Sequence, residues 1–486
     1  MKQRIFAFFV ITLCMQVVIF LAVIFLFKES IRLDEAQSLW QTSHSFRKIF
    51  EIIGQDVHVP LYHIFLYYWY SIVGSSLFGV RMLSLFFYVL CIPASYFFAK
   101  MAFQKESIAL YLSILTTLSP FLNWYGSELR MYSLLTLVTI ASHYFFLRII
   151  KKNDKLAWIG YLVAGLIGIY THYFFSLNII TQAIFFVTQK KAFQKNSLIK
   201  FILTGFIIVL AIFPWLYFVK TLGSAGNTKP NLPSPSTSDI FNAYSSYIFG
   251  FHNDNINTII VSFWPILVLI FFIILKKTDY IRLEIKYLIF SAIIPPTIVY
   301  IISKVYQPIF LSRYLIIVLP SIYLLISRYL FFFKTRIALY IRYIVVILFI
   351  FGLVQQTMDR NLSVKENFLD ASSYISKHST FKDVIALSAP FIIYPFEYYY
   401  NGPVTTTTIP FWNRFESGAI PVFSENDLKS QVLEMSKKYN NIWLLLSYDQ
   451  GYQDTVRLYF DKNFKREEHK SFSGNVNLYV YRLKYD

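Results

Sequence analysis

Two things are scarce in this 486-residue chain: cysteine and charge. The only cysteines, Cys14 and Cys91, lie inside apolar runs, so no disulfide framework is implied. The tail from Asp359 onward has none, which suits an oxidising or a reducing side equally. Charged residues make up 15% of the chain, against about 25% in soluble domains. Apolar residues reach 56% and the mean hydropathy is +0.50. A soluble globular class is thereby excluded and a membrane protein is indicated. No glycine pattern of the dinucleotide-binding or P-loop kind is present, so nothing suggests a nucleotide cofactor.

Acidic residues are scarce as well, 27 against 45 basic, for a net charge of +18. Such an excess could point to nucleic acid, but its distribution argues otherwise. From Asp359 to Asp486 there are 15 basic and 15 acidic residues, so the whole excess sits among the hydrophobic runs of the first 358. It clusters there in short linkers, the signature of membrane orientation. Aromatics at 20% fit the same setting, because Tyr and Trp are favoured where a bilayer meets water.

Eleven runs are long and apolar enough to be read as spans: 5–27, 80–99, 107–123, 131–149, 156–170, 173–188, 198–219, 257–275, 285–303, 312–332 and 337–357. The first is too long for a signal-peptide core, and no small-residue cleavage site follows it. The N-terminus and the linkers Lys100–Glu106, Arg148–Lys155, Lys190–Lys200, Lys276–Lys286 and Lys334–Arg342 hold nineteen basic and four acidic residues. They share one side if the spans alternate, which makes that side cytoplasmic and places the C-terminal tail outside. The run Pro60–Val73 is short and rich in Tyr and Trp. Counting it as a crossing would break the charge rule, so it is expected as a juxtamembrane helix on the outer face, with Pro60 as its first residue. Ser224–Ser238 reads as a loop. The expected domains are 1–357 in the membrane and a small α/β domain at 358–486. In the latter "DVIALSA" and "NIWLLLSYD" are buried strands, Ser424–Tyr439 is a helix capped by Ser424, and "NVNLYVYRLK" is a closing strand.

Eight of the twelve acidic residues of the membrane half fall outside on this topology. They mark three outer stretches. "IRLDEAQSLW" carries Asp34 and Glu35. "DVHVPLYH" carries Asp56, His58 and Tyr62. "NWYGSELRMYSL" carries Glu128, Arg130 and Tyr132, with Glu128 and Tyr132 expected on one helical face. An Asp can take a proton from a hydroxyl, and paired carboxylates can hold a divalent metal. Singly, each is more simply a solvated loop charge or a helix cap. "IYTHYFFSL" adds His172 and Tyr173 at the tip between two short spans, and "FLSRYLIIVLP" adds Arg313 and Tyr314 at the outer start of another. Arginine suits phosphate through its planar fork. Carboxylates, histidines and arginines thus gather at one edge while the span interiors are nearly free of charge.

In order and spacing these five stretches resemble the GT-C glycosyltransferases of the protein O-mannosyltransferase and aminoarabinose-transferase type, over roughly residues 1–330. The resemblance implies a polytopic helical fold with about eleven transmembrane helices, outer juxtamembrane helices and an extracytoplasmic C-terminal domain. It implies transfer of a sugar, with inversion, from a polyprenyl-phosphate donor to an acceptor on the outer face of the cell membrane. Asp34 would be the catalytic base, with Glu35 and Glu128 in catalytic support. Arg313 would hold the lipid phosphate, and Arg81 would face the site from the start of the second span. Asp56, His58, Tyr62, Arg130, Tyr132, His172, Tyr173 and Tyr314 would line it. The family's usual His-Pro-Pro-Leu is here His58-Val59-Pro60-Leu61, one proline short. A divalent metal is a candidate cofactor, with Asp34, Glu35, Glu128 and His172 as candidate ligands. The acceptor would be a cell-envelope glycan, a lipid or a protein; the bilayer is the other partner, and no nucleic acid is expected. The rival readings are a transporter or flippase of lipid-linked glycan, and a polysaccharide polymerase or ligase. A transporter would place ionisable groups near the midplane and show internal repeats, and neither is evident.

Overall fold

In the computed structural model, the described residues are 2–194, 196–222, 232–252, 254–266, 282–359, 362, 365–414 and 420–483. The chain forms two compact units. The first runs through residues 2–28, 58–222, 232–252, 254–266 and 282–358. The second joins the first interhelical loop, Glu29–Val57, to the C-terminal segment from Asp359.

The first unit is helical because its sequence offers long apolar stretches, and lipid leaves a backbone no partners but its own. Six helices are long and apolar enough to cross a bilayer: Lys2–Ile24, Leu77–Phe103, Tyr132–Lys151, Ser197–Thr221, Leu283–Val305 and Arg336–Met358. Shorter apolar helices stand among them, at Glu106–Leu118, Lys155–Thr171, Phe175–Thr188 and Leu319–Leu330. Ser197–Thr221 buries Thr204, Ile208, Ile212 and Trp215 but leaves Phe206, Val209, Leu210 and Phe213 bare. So continuous an apolar stripe belongs against acyl chains, since soluble surfaces rarely carry one. The protein is a multi-pass membrane protein.

Between helices the unit is held by small and polar side chains, which supply specific contacts where lipid removes the hydrophobic advantage. His143 meets the Tyr287 hydroxyl at 2.5 Å, Gln182 donates to the same hydroxyl at 2.9 Å, and Tyr161 donates to Gln182 at 2.8 Å. Four helices are thereby joined.

Two local expectations are corrected. The run 107–123 is two helices, Glu106–Leu118 and Pro120–Ser127. Ser119 breaks it: its hydroxyl caps the Leu122 N–H at 3.0 Å and Pro120 opens the next helix, where a missing N–H costs nothing. The helix expected at Pro60–Val73 is present as Leu61–Val73, with Pro60 as the cap before it. Of the expected span 257–275, only the start lies within the described residues, which include the helix Asp254–Ser262. Most of the expected loop at 224–238 lies outside them.

The C-terminal segment forms a five-stranded sheet in the order β2-β1-β3-β5-β4. The strands are β1 (Asp383–Ser388), β2 (Thr405–Thr408), β3 (Asn441–Leu446), β4 (Lys465–Phe472) and β5 (Val476–Arg482). β1 pairs parallel with β2 and β3, while β5 runs antiparallel to β3 and β4. Alternation assigns the core. Ile385, Leu387, Trp443 and Leu445 pack against the helix Phe368–His378, and Val384, Ala386, Ile442 and Leu444 pack on the helix Glu425–Lys438. Both central strands are covered on both faces, which is why they read as unbroken apolar runs.

Candidate active site

Each unit gathers one cluster of the residues singled out from sequence. In the helical unit the cluster is built on the turn 128–131, between the helices Pro120–Ser127 and Tyr132–Lys151. Gly126 lets the first of these lie flat on its neighbour: a Cβ there would come within 2.3 Å of the Tyr88 ring. The turn is closed by the Arg130 N–H donating to the Glu128 carbonyl at 2.7 Å. Glu128 therefore ends one helix in extended conformation while Tyr132 begins another, and the shared helical face expected for the pair is not found.

Arg130 is buried, and its guanidinium donates to His58 Nε2 at 2.8 Å. Arginine can only donate, so His58 accepts through Nε2 and is neutral, with its proton on Nδ1. The Arg130 carbonyl accepts from Ser84 at 3.2 Å, and Ser84 in turn meets the Tyr62 hydroxyl at 2.6 Å. Two other segments, residues 58–62 and the helix Leu77–Phe103, thus fix one arginine.

His172 ends the helix Lys155–Thr171, and its Nδ1 accepts from the Phe174 N–H at 3.1 Å. Its ring lies 5.3 Å from the Tyr314 ring and 6.3 Å from that of Tyr132. Arg313 stands over the Tyr314 ring at 5.6 Å. Burial, reinforced by the positive charges of Arg130 and Arg313, pushes the His172 pKa down to about 3. The imidazole is neutral, so the positive charge of this cluster belongs to the arginines.

Two expected members are engaged on neighbouring helices. Arg81, buried, donates to the Phe27 carbonyl at 3.3 Å. The Tyr173 hydroxyl accepts from Trp215 at 2.8 Å.

In the second unit the first interhelical loop opens with the helix Leu33–Thr42. Glu35 is fully buried, and its carboxylate accepts from the Arg32 N–H at 3.0 Å. This closes the helix N-terminus, where negative charge is also favoured by the backbone dipoles. Asp34, half-buried, shares that first turn. Asp56 accepts from Gln37 at 3.1 Å and from Gln41 at 2.9 Å, tying the loop's end back onto the same helix. The Tyr399 hydroxyl accepts from the Ile31 N–H at 2.7 Å. Trp40 packs on Tyr394 at 5.1 Å, and Arg414 stands over both rings.

Sequence reasoning missed Glu366, Tyr448 and Arg32. Glu366 is buried, one oxygen accepts from the Tyr448 hydroxyl, and the charges of Arg32 and Asp34 act on it. No motif marks it. Tyr448 lies two residues past the end of β3, but only the folded chain brings it to Glu366. His378 and His469 stack on Tyr374 at 4.2 Å and on Tyr479 at 4.4 Å.

Among the described residues no group of three or more His, Cys, Asp or Glu side chains is arranged to hold an ion. His172 moreover lies in the field of two arginines, which opposes a cation there.

The family of dolichyl-phosphate-mannose-protein mannosyltransferases matches residues 57–218. No curated protein matches the chain by sequence. The fold is shared with ArnT from Cupriavidus metallidurans. The apo form gives a TM-score of 0.56 at 11% identity over 87% of each chain. The form bound to undecaprenyl phosphate gives 0.57 at 11% identity over 99% of this chain and 97% of that one. The Archaeoglobus fulgidus oligosaccharyltransferase, tethered to an acceptor peptide, gives 0.53 at 11% identity over 91% of this chain and 69% of its own. The mannosyltransferase family model thus matches a third of the chain, and what the chain shares with ArnT and the oligosaccharyltransferase is the GT-C fold.

Proposed function

We propose that the protein transfers a sugar, with inversion, from a polyprenyl-phosphate donor to an acceptor at the outer face of the cell membrane, with Asp34 as the base. The observation that carries this reading is the pair of arginines, Arg130 and Arg313, acting on one buried neutral histidine in the helical unit. Two planar guanidiniums suit a phosphate that gains charge as it leaves. The ArnT fold neighbour was solved with undecaprenyl phosphate, and the oligosaccharyltransferase neighbour with an acceptor peptide. Both kinds of partner support the proposed pair of substrates.

The chemistry assigns each group a task. An acceptor hydroxyl attacks the sugar's anomeric carbon from the side opposite the phosphate. The new O–C bond forms as the C–O bond to phosphate breaks, and the polyprenyl phosphate leaves with the electron pair. The hydroxyl proton goes to the Asp34 carboxylate, a contribution of ~10²–10⁴-fold for a placed base. Arg130 and Arg313 neutralise the leaving phosphate, and neutral His172 and His58 can offer hydrogen bonds without repelling the arginines. Glu128 supports the turn that presents Arg130. Glu35 supports the helix that presents Asp34. The polyprenyl chain would lie against the exposed apolar helix faces, and the α/β unit would stand on the extracytoplasmic side.

The test is mass spectrometry of cell-envelope glycans, with and without the protein, complemented by the wild type or by Asp34→Asn. The wild type should restore a sugar-sized mass difference. D34N should not, although it reaches the membrane in equal amount. Restoration by D34N would overturn the assignment of the base.

A further inference from the structure

A lone helix of ten residues is marginal in water. The helix Leu33–Thr42 therefore takes its stability and its position from what it packs on. Within the second unit that support comes from the C-terminal α/β segment, which holds the loop at both ends of this helix. Just before the helix, the Tyr399 hydroxyl accepts from the Ile31 N–H at 2.7 Å, and buried Lys365 pairs with Glu29 at 3.1 Å. Near its end, Trp40 packs on Tyr394 at 5.1 Å. The Arg414 guanidinium stands over both rings, 5.3 Å from that of Trp40 and 5.0 Å from that of Tyr394. Trp412 meets the Tyr394 ring edge-on at 6.0 Å. Glu397 pairs with Arg414, whose side chain is only 8% exposed. A cation taken out of water between two aromatic faces is attracted to both.

The holding groups are themselves rooted in the sheet. Tyr394, Glu397 and Tyr399 lie on one short helix, Ile393–Tyr399, which follows β1. That helix sinks Phe396 into the core of the α/β fold, stacked on Tyr400 at 4.9 Å. Close packing there leaves Phe396 little room to shift. The core thus fixes the helix Ile393–Tyr399, and that helix fixes Ile31 and Trp40.

We propose that Arg414, Tyr394 and Tyr399 form a mount that positions Asp34 for the acceptor hydroxyl. The proposal rests on the reading of Asp34 as the base and deepens it. It gives the α/β segment a part in the reaction beyond covering the membrane half. Asp34 and Trp40 are six residues apart in one helix, about 9 Å along its axis. So short a helix moves as a body, and freeing Trp40 lets the Asp34 carboxylate drift. A misplacement of about 1 Å costs on the order of 10²-fold in rate. Donor binding, assigned to Arg130 and Arg313 in the helical unit, does not depend on the mount. Arg414, Tyr394 and Tyr399 act through Asp34 and are positioning residues.

The test uses the full chain in lipid nanodiscs and two readouts. The first is backbone hydrogen exchange. Arg414→Ala should speed exchange across residues 33–42 while β1 and β3 keep their protection. The second is sugar transfer against donor concentration, with donor supplied as membrane lipid extract. R414A should lower kcat by about 10²-fold and leave KM for the donor within about twofold. Tyr399→Phe removes one hydroxyl and no packing. It should act in the same direction, lowering kcat by less than about tenfold, the worth of one hydrogen bond. If β1 and β3 lose protection in R414A, that variant is misfolded and Y399F alone decides. A role of Arg414 confined to its own loop would move neither readout, and that result overturns the proposal. Faster exchange at 33–42 with kcat unchanged, or a loss carried by KM alone, overturns it too. Transfer by D34N at the wild-type rate would instead overturn the reading of Asp34 itself, whatever R414A does.

Discussion

The two clusters solve the same problem with opposite sign. Around His172, burial and two arginines strip a histidine of its charge. Around Glu366, burial and a neighbouring aspartate hold back the charge of a glutamate. In both, the residue whose ionisation is suppressed adjoins the residues proposed to act: Arg130 and Arg313 in one, Asp34 in the other. A buried neutral neighbour lets the acting charge keep its field without a counter-ion that would cancel it. The basic cluster suits an anion. The acidic one suits a proton.

This contrast can be broken at several points. The largest effect is expected from Asp34→Asn, which should lower transfer by ~10²–10⁴-fold in a reconstituted assay while the donor is still bound. Next come Arg313→Ala and Arg130→Ala, each expected to cost ~10²–10³-fold through lost stabilisation of the leaving phosphate. Arg313→Lys should recover little, because a point charge lacks the planar fork.

Glu366 should also leave a mark on stability. Its folded pKa lies above the ordinary carboxyl value, at about 7. The folded form therefore binds the proton more tightly than the unfolded chain, and stability falls as pH rises from the carboxyl range to about 7. The loss is on the order of 3 kcal/mol from the shift alone. Thermal unfolding of purified E366Q should be flatter across that window, with the larger gain over wild type on the alkaline side. The smallest effect concerns His172. Held neutral with a pKa of about 3, it contributes no limb to the rate between pH ~5 and ~8. His172→Gln should leave the shape of the profile unaltered, whatever it does to the rate.

Much of the fold could be read from the chain because lipid imposes a strict rule: a spanning backbone needs a long apolar helix. The same holds for β1 and β3, whose unbroken apolar runs follow from burial on both faces. β4, "KREEHKSF", escaped because an edge strand facing water keeps no hydrophobic pattern. The break at Ser119 was hidden inside a continuous apolar run and is decided by one hydroxyl and one proline. At the candidate site, arginines, histidines and carboxylates stood out against charge-poor surroundings. Glu366 did not, since it lies among many surface charges, and its burial depends on Gly474 and Tyr448, both far from it in sequence. That Glu35 could be a helix cap was legible; that it takes the Arg32 N–H was visible only with the helix it caps.

The central claim is that the basic cluster holds the lipid phosphate while the acidic cluster does the proton chemistry. Native mass spectrometry of the purified chain with added undecaprenyl phosphate tests it most directly. The account predicts that D34N retains the lipid as well as wild type and that the Arg130→Ala, Arg313→Ala double variant does not. Loss of the lipid from D34N together with its retention by the double variant would contradict it.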